Sequence, residues 1–145
     1  MVKTDYELER KWWNAKARNE EVDIFDEKIN RELRWKEINK HLSEDIDTIL
    51  DVGGGTGVFS IPLAQKGFKV VHFDISEEMI AIAKSKAEEK KVMNITFERG
   101  ISTDLSRFKD NSFDLVINMD GPVSFCGIDA EKAIQETIRV AKKKV

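Results

Sequence analysis

The sequence predicts an α/β chain, a doubly wound and mainly parallel sheet with helices on both faces. Three observations carry that expectation. Short β-branched runs at residues 48–52, 69–74, 94–98 and 113–118 alternate with stretches of helical periodicity. The first run ends in Asp51 and Val52 and passes into Gly53-Gly54-Gly55-Thr56-Gly57, a glycine loop between a buried strand and a helix. The second run ends in His72-Phe73-Asp74, which puts another acid at the same end of the sheet. Strands that alternate with helices require crossovers, and these are right-handed, so the helices cover both faces.

The elements follow in order. Apolar residues recur at three- and four-residue intervals over residues 4–19 and 26–41, giving two amphipathic helices that hold Trp12, Trp13 and Trp35. They form an N-terminal helical extension, residues 1–44, ahead of a core spanning 45–145 within one domain overall. After the first strand a helix is expected over residues 58–66, closed by Gly67, with Pro62 in its opening turns where a missing N–H costs little. After the second strand a helix over residues 76–91 begins Ser76-Glu77-Glu78, a hydroxyl cap followed by two acids that complement the helix dipole. Asp129 is expected to cap a last helix through Ala133, Ile134, Ile138 and Val140.

Composition excludes several classes. The 24 basic and 27 acidic residues leave a net charge of −3, so no global cationic field collects nucleic acid or an anionic membrane. No apolar run approaches the roughly 20 residues that cross a bilayer, and no signal-peptide pattern opens the chain, so a soluble cytoplasmic protein is expected. The one cysteine, Cys126, excludes an internal disulfide and reads as a small buried hydrophobe. His41 and His72 lack metal-ligand spacing, and no metal is expected.

The glycine loop sets the chemistry. Gly53, Gly55 and Gly57 let the backbone turn through left-handed angles and leave no Cβ between main chain and ligand, while the following helix N-terminus favours an anionic or hydroxyl group. Asp74 is placed to accept hydrogen bonds from both hydroxyls of a ribose. A dinucleotide such as NAD is the competing ligand, but G-x-G-x-x-G fits neither frame: counting from Gly53 puts Val58 in the sixth place, and from Gly55, Ser60.

Taken together, residues 49–57, Asp74 before Ile75-Ser76, and the phrase Ser112-Phe113-Asp114-Leu115-Val116-Ile117 resemble the class I S-adenosylmethionine-dependent methyltransferases. The resemblance runs from about residue 48 to the end and implies a Rossmann-like fold, S-adenosylmethionine as cofactor and methyl transfer as the reaction. It also implies that the acid equivalent to Asp51 orients the cofactor's amino group, that Gly53, Gly55 and Gly57 underlie its methionine and ribose, and that Asp74 holds the ribose. Ile75 would pack on adenine with Met79 nearby. Where relatives carry Gly-Asp-Ala this chain has Gly100-Ile101-Ser102, so Ile101 replaces the acid and Ser102 is left to read the base edge.

Transfer from a sulfonium has an activated leaving group, so the protein mainly positions the acceptor and excludes water. The acceptor is expected at the carboxyl end of the fourth strand, where Asn118-Met119-Asp120-Gly121-Pro122-Val123-Ser124 follows. Asn118 is a cofactor or acceptor contact, Asp120 the candidate general base for a hydroxyl or protonated amine, and Ser124 an acceptor contact. An Asp-Gly-Pro turn accounts equally well for Asp120. The segment is not the Asn-Pro-Pro-Tyr phrase of relatives that methylate amide or exocyclic amino nitrogens. Tyr6, Trp12 and Trp13 belong to a helix that in relatives folds over the cofactor as a lid or contributes to the acceptor pocket. Adjacent on one helix, Trp12 and Trp13 cannot share a face, so one is expected to be partly exposed and to contact ligand or partner.

Relatives continue beyond the point where this sequence ends. The expected sheet therefore has four strands, with the fourth as an apolar open edge that invites self-association or a partner chain. A module that binds S-adenosylmethionine without turnover, completed by a partner, is the alternative to an enzyme. The acceptor stays open, with a small molecule or protein favoured over nucleic acid by the net charge.

Overall fold

The computed structural model describes residues 4–17, 25–119 and 121–145. Its sheet has five parallel strands: β1 (Thr48–Val52), β2 (Lys69–Asp74), β3 (Ile95–Arg99), β4 (Phe113–Asn118) and β5 (Ala141–Lys144), in the order β3-β2-β1-β4-β5. The order reverses between β1 and β4, which opens a crevice at their carboxyl ends. The helices are α1 (Tyr6–Lys16), α2 (Phe25–His41), α3 (Ser60–Gln65), α4 (Glu77–Glu89), α5 (Gly121–Ser124) and α6 (Ala130–Val140).

Strand residues alternate between two cores. Ile49, Leu115 and Ile117 join Ile38 of α2 and Ile61, Leu63 and Ala64 of α3 on one face. Leu50, Val52, Phe73, Phe113 and Val116 join Leu105 and Val140 on the other. Burying each large apolar side chain contributes about 1.5–3 kcal/mol, so the sheet is held from both sides and its strand ends are rigid mounts for a site.

The phrase that begins the fourth strand has a structural reason. Asp114 Oδ2 accepts from the Asp47 and Thr48 amides at 3.1 and 3.0 Å and from Thr48 Oγ1 at 3.0 Å, while Thr48 Oγ1 accepts from the Asp114 amide at 3.0 Å. Burial alone would raise the Asp114 pKa, but these bonds and the Lys143 ammonium, 3.5 Å from Oδ1, hold it down to about 2. One carboxylate thus ties together the beginnings of β1, β4 and β5.

Several expectations need correction. A fifth strand is present: β5 follows α6 directly and pairs with β4, Phe113 opposite Ala141 and Leu115 opposite Lys144, so β4 is not an edge. Helix α1 ends at Lys16, and position 19 lies outside the described residues. Helix α3 is six residues long, because Pro62 has no N–H for the Val58 carbonyl and residues 58 and 59 stay in the turn. Ser76 caps α4 as expected, accepting from the Met79 amide at 3.1 Å. Asp129 occupies the N-cap of α6 without a side-chain bond to it; its carboxylate accepts from Tyr6 Oη at 3.1 Å instead.

Candidate functional site

A cavity of about 190 Å³ opens at the carboxyl ends of β1 and β2. Its floor is the loop that follows β1. Gly53, Gly55 and Gly57 have φ of 75°, 54° and 82°, the left-handed region that the alternate glycines predicted. The Gly53 and Gly54 amides donate to the Phe73 carbonyl at 2.7 and 3.1 Å, which fastens the loop to β2. A Cβ at Gly55 would meet nothing within 4 Å, so that backbone faces open space in which a ligand can lie.

Two acids flank the loop. Asp74 is 7% exposed and lines the cavity; its Oδ2 accepts from the Gly55 amide at 2.9 Å and its Oδ1 from the Ser76 amide at 2.8 Å. Burial raises its pKa against the pull of those amides. Each oxygen keeps a further lone pair for a ligand hydroxyl. Asp51 is 3% exposed and also lines the cavity, with the Ser60 hydroxyl donating to it; burial pushes its pKa up to about 6.

The walls gather most of the remaining candidates. Ile75, Met79 and Ser102 line the cavity, Ser102 with its hydroxyl 3.1 Å from the Cys126 sulfur. Trp13 lines it as well, while Trp12 is 43% exposed and packs edge-on against Trp13 with ring centroids 4.7 Å apart. Phe125 closes an aromatic trio at 5.9 Å from Trp12 and 5.3 Å from Trp13. The buried Cys126 matches the reading of a small hydrophobe, its thiol pKa raised by burial.

Four candidates are not part of the lining: Gly57, where a Cβ would meet Ile61 and Ala83 rather than the cavity, the exposed Trp12, Asn118 and Ser124. Asn118 sits outside the cavity lining: its amide donates to Thr137 Oγ1 at 2.7 Å, pointing toward α6. Ser124 is exposed on α5 and does not line the cavity. Asp120 lies outside the described residues. Tyr6, on the same helix as Trp12 and Trp13, lines the cavity too, while sequence reasoning missed Glu9, Arg31 and Arg34, which α1 and α2 bring to the wall. Burial raises the pKa of Glu9, although a hydrogen bond from Trp13 opposes it. The i, i+3 spacing of the two arginines was the available signal, but nothing local tells which way α2 docks.

This geometry is that of a Rossmann-like domain with a cradle for a nucleoside cofactor at its topological switch point. The comparisons with known proteins make it specific: the methyltransferase-domain family matches residues 49–144, and the chain belongs to that family. A Geobacillus sp. (strain WCH70) protein named as a methyltransferase is 36% identical over 106 residues, covering 72% of this chain and 40% of that protein. The uncharacterized methyltransferase YcgJ of Bacillus subtilis (strain 168) is 33% identical over 95 residues, covering 66% and 36%. Among solved structures, an S-adenosylmethionine-dependent methyltransferase of Methanosarcina mazei superposes with a TM-score of 0.64 at 33% identity, over 72% of this chain and 51% of that one. The chain spans about two-fifths of the length of the curated relatives it matches.

S-adenosylmethionine is the cofactor of this family, and the residues present fit it. The donor set offers a carboxylate for the ribose hydroxyls, a second for an ammonium, apolar side chains for adenine and an unobstructed loop at Gly55.

Proposed function

We propose that this chain binds S-adenosylmethionine through Asp74, Asp51 and the loop glycines, and that the protein transfers the methyl group to a small-molecule or protein acceptor in the cytoplasm. The observation that carries the reading is Asp74, held by the Gly55 and Ser76 amides so that its carboxylate faces the cavity from the end of β2. When bound, the cofactor would supply an electrophilic methyl on a sulfonium that is already an activated leaving group. The chain's own residues then bind and orient. Asp74 takes the ribose, Asp51 the ammonium, Ile75 and Met79 the adenine and Ser102 its edge. Residues 1–44 act as the lid, with Trp13 shielding the cavity from water. Net charge of −3 and the aromatic trio favour a small molecule or protein over nucleic acid as acceptor.

Calorimetric titration with S-adenosylmethionine, S-adenosylhomocysteine and NAD tests this. Both adenosyl sulfur compounds should bind, and Asp74→Ala should weaken them at least about tenfold, the loss of a charge-assisted hydrogen bond. Binding of NAD alone would overturn the reading. A second reading, cofactor binding without turnover until a partner chain completes the acceptor side, is favoured by the placement of Ser124 and Asn118 outside the cavity. It predicts calorimetric binding with no S-adenosylhomocysteine released in an acceptor screen.

A further inference from the structure

His72 is fully buried in the middle of β2, beneath the glycine loop. A Cβ on Gly54 would come within 2.3 Å of its Nδ1 and 2.4 Å of its Cε1, so the loop rests directly on the imidazole. Gly54 has no left-handed φ; what requires glycine there is His72. The same Nδ1 is 2.8 Å from Ser60 Oγ, and Ser60 Oγ in turn donates to Asp51. A hydroxyl has one proton, and here it goes to the carboxylate, so the serine oxygen must accept from the imidazole and Nδ1 must carry the hydrogen. Nε2 is then a bare lone pair, and it is buried without a partner. Burial keeps the ring neutral, with its pKa lowered to about 4 against a hydrogen bond to the Gly55 backbone that favours a protonated ring nitrogen.

We infer that His72 is a positioning residue for cofactor recognition: through Ser60 it fixes the Asp51 carboxylate toward the cofactor's ammonium. The inference rests on the reading that S-adenosylmethionine occupies this cavity. The chain has a direction, Nδ1–H to Ser60 and Ser60 O–H to Asp51, so one oxygen of Asp51 is held inside the protein. Its remaining acceptor capacity is available to a ligand cation. Without the imidazole donor, the serine hydroxyl is released to rotate, and the carboxylate loses its fixed orientation.

The test compares two ligands that differ at the aminoacyl end. S-adenosylhomocysteine carries the ammonium, and 5′-methylthioadenosine keeps adenine and ribose without it. His72→Leu removes the donor, whereas His72→Asn restores an N–H at the Nδ1 position. Calorimetry should show S-adenosylhomocysteine weakened about tenfold by His72→Leu, 5′-methylthioadenosine changed less than about threefold, and both close to the parent with His72→Asn. Ser60→Ala, a small change that leaves the fold in place, should reproduce the leucine pattern, and Ser60→Ala with His72→Leu should be no worse than either alone. Equal weakening of both ligands would mean a structural role only and overturn the inference. So would unchanged S-adenosylhomocysteine affinity in Ser60→Ala and His72→Leu, or additive losses in the double variant. A parent chain that binds neither ligand would instead remove the cofactor reading itself, and the inference with it.

Discussion

Burial moves the pKa values of Asp51 and His72 in opposite directions, so their contributions to stability carry opposite pH slopes. A carboxyl whose folded pKa is about 6 against 3.8 binds more protons folded than unfolded, so its contribution to stability falls as pH rises from about 4 to 6. An imidazole held at about 4 against 6.5 binds fewer protons folded, so its contribution rises over nearly the same window. In the parent chain the two slopes offset. Asp51→Asn removes the falling one, so the stability of this variant relative to the parent should climb between pH 4 and 6 by roughly 3 kcal/mol. Urea denaturation at a series of pH values checks this, and a flat difference would mean that Asp51 is not buried as a carboxyl in solution. At this scale the sequence was legible where a residue type has one common use. Acids at strand ends and alternate glycines declare themselves within a few positions of chain. The pairing of Gly54 with His72 does not, because it joins a loop to the neighbouring strand and depends on how closely the two backbones approach. Glu9, Arg31 and Arg34 were invisible for the same reason, since a polar residue on a mixed-charge helix looks alike whether it meets solvent or a cavity.

Among the elements, α1 is held onto the core by polar contacts at the start of α4. Glu77 receives Arg10 Nη1 at 2.8 and 2.9 Å, Asn14 Nδ2 at 3.1 Å and Arg99 Nη1 at 2.6 Å, while Ser76 Oγ donates to Asn14 Oδ1 at 2.6 Å. No residue of α1 is buried, so this cluster, whose Ser76 and Glu77 follow Asp74 in the chain, carries much of the docking. The hydrogen bond from Arg10 is foremost in holding the Glu77 pKa down to about 2, and the carboxylate stays charged at any working pH. These groups are partly exposed, and pairs of that kind contribute about 0–1 kcal/mol to global stability. Glu77→Ala should therefore leave the denaturation midpoint nearly unchanged while loosening α1. Hydrogen exchange should quicken several-fold in α1 amides and stay at parent rates in β1, β2 and β4. Uniform quickening would contradict a local latch. The helices were legible as periodic stretches, and the Ser76 cap as a hydroxyl before two acids. The starts of α3 and α6 were not. Pro62 shortened α3 through a missing donor, and Asp129 left its helix for Tyr6, a partner brought close only by the folding of α1 onto the core.

At the scale of the whole molecule, the strand order follows from the alternation of elements, and the switch point between β1 and β4 places the cavity where the sequence placed it. What the sequence reading lost was β5, because Ala141-Lys142-Lys143-Lys144 has neither β-branched residues nor alternation. The strand forms because α6 delivers it beside β4 and because Asp114 and Asp45 neutralise Lys143, whose ammonium lies 3.5 Å from Asp114 Oδ1 and 3.1 Å from Asp45 Oδ2. That changes the character of the sheet's edge. An apolar β4 would template further strands, but β4 is covered, and the outermost described strand on that side carries the exposed ammonium of Lys142, a charge of the kind that discourages edge pairing. The 145-residue chain should therefore sediment as a monomer, and Lys142→Ile should shift it toward dimer with an association that strengthens at high salt. Dimers of the parent that dissociate at low salt would show instead that the lysines of β5 do not guard this edge.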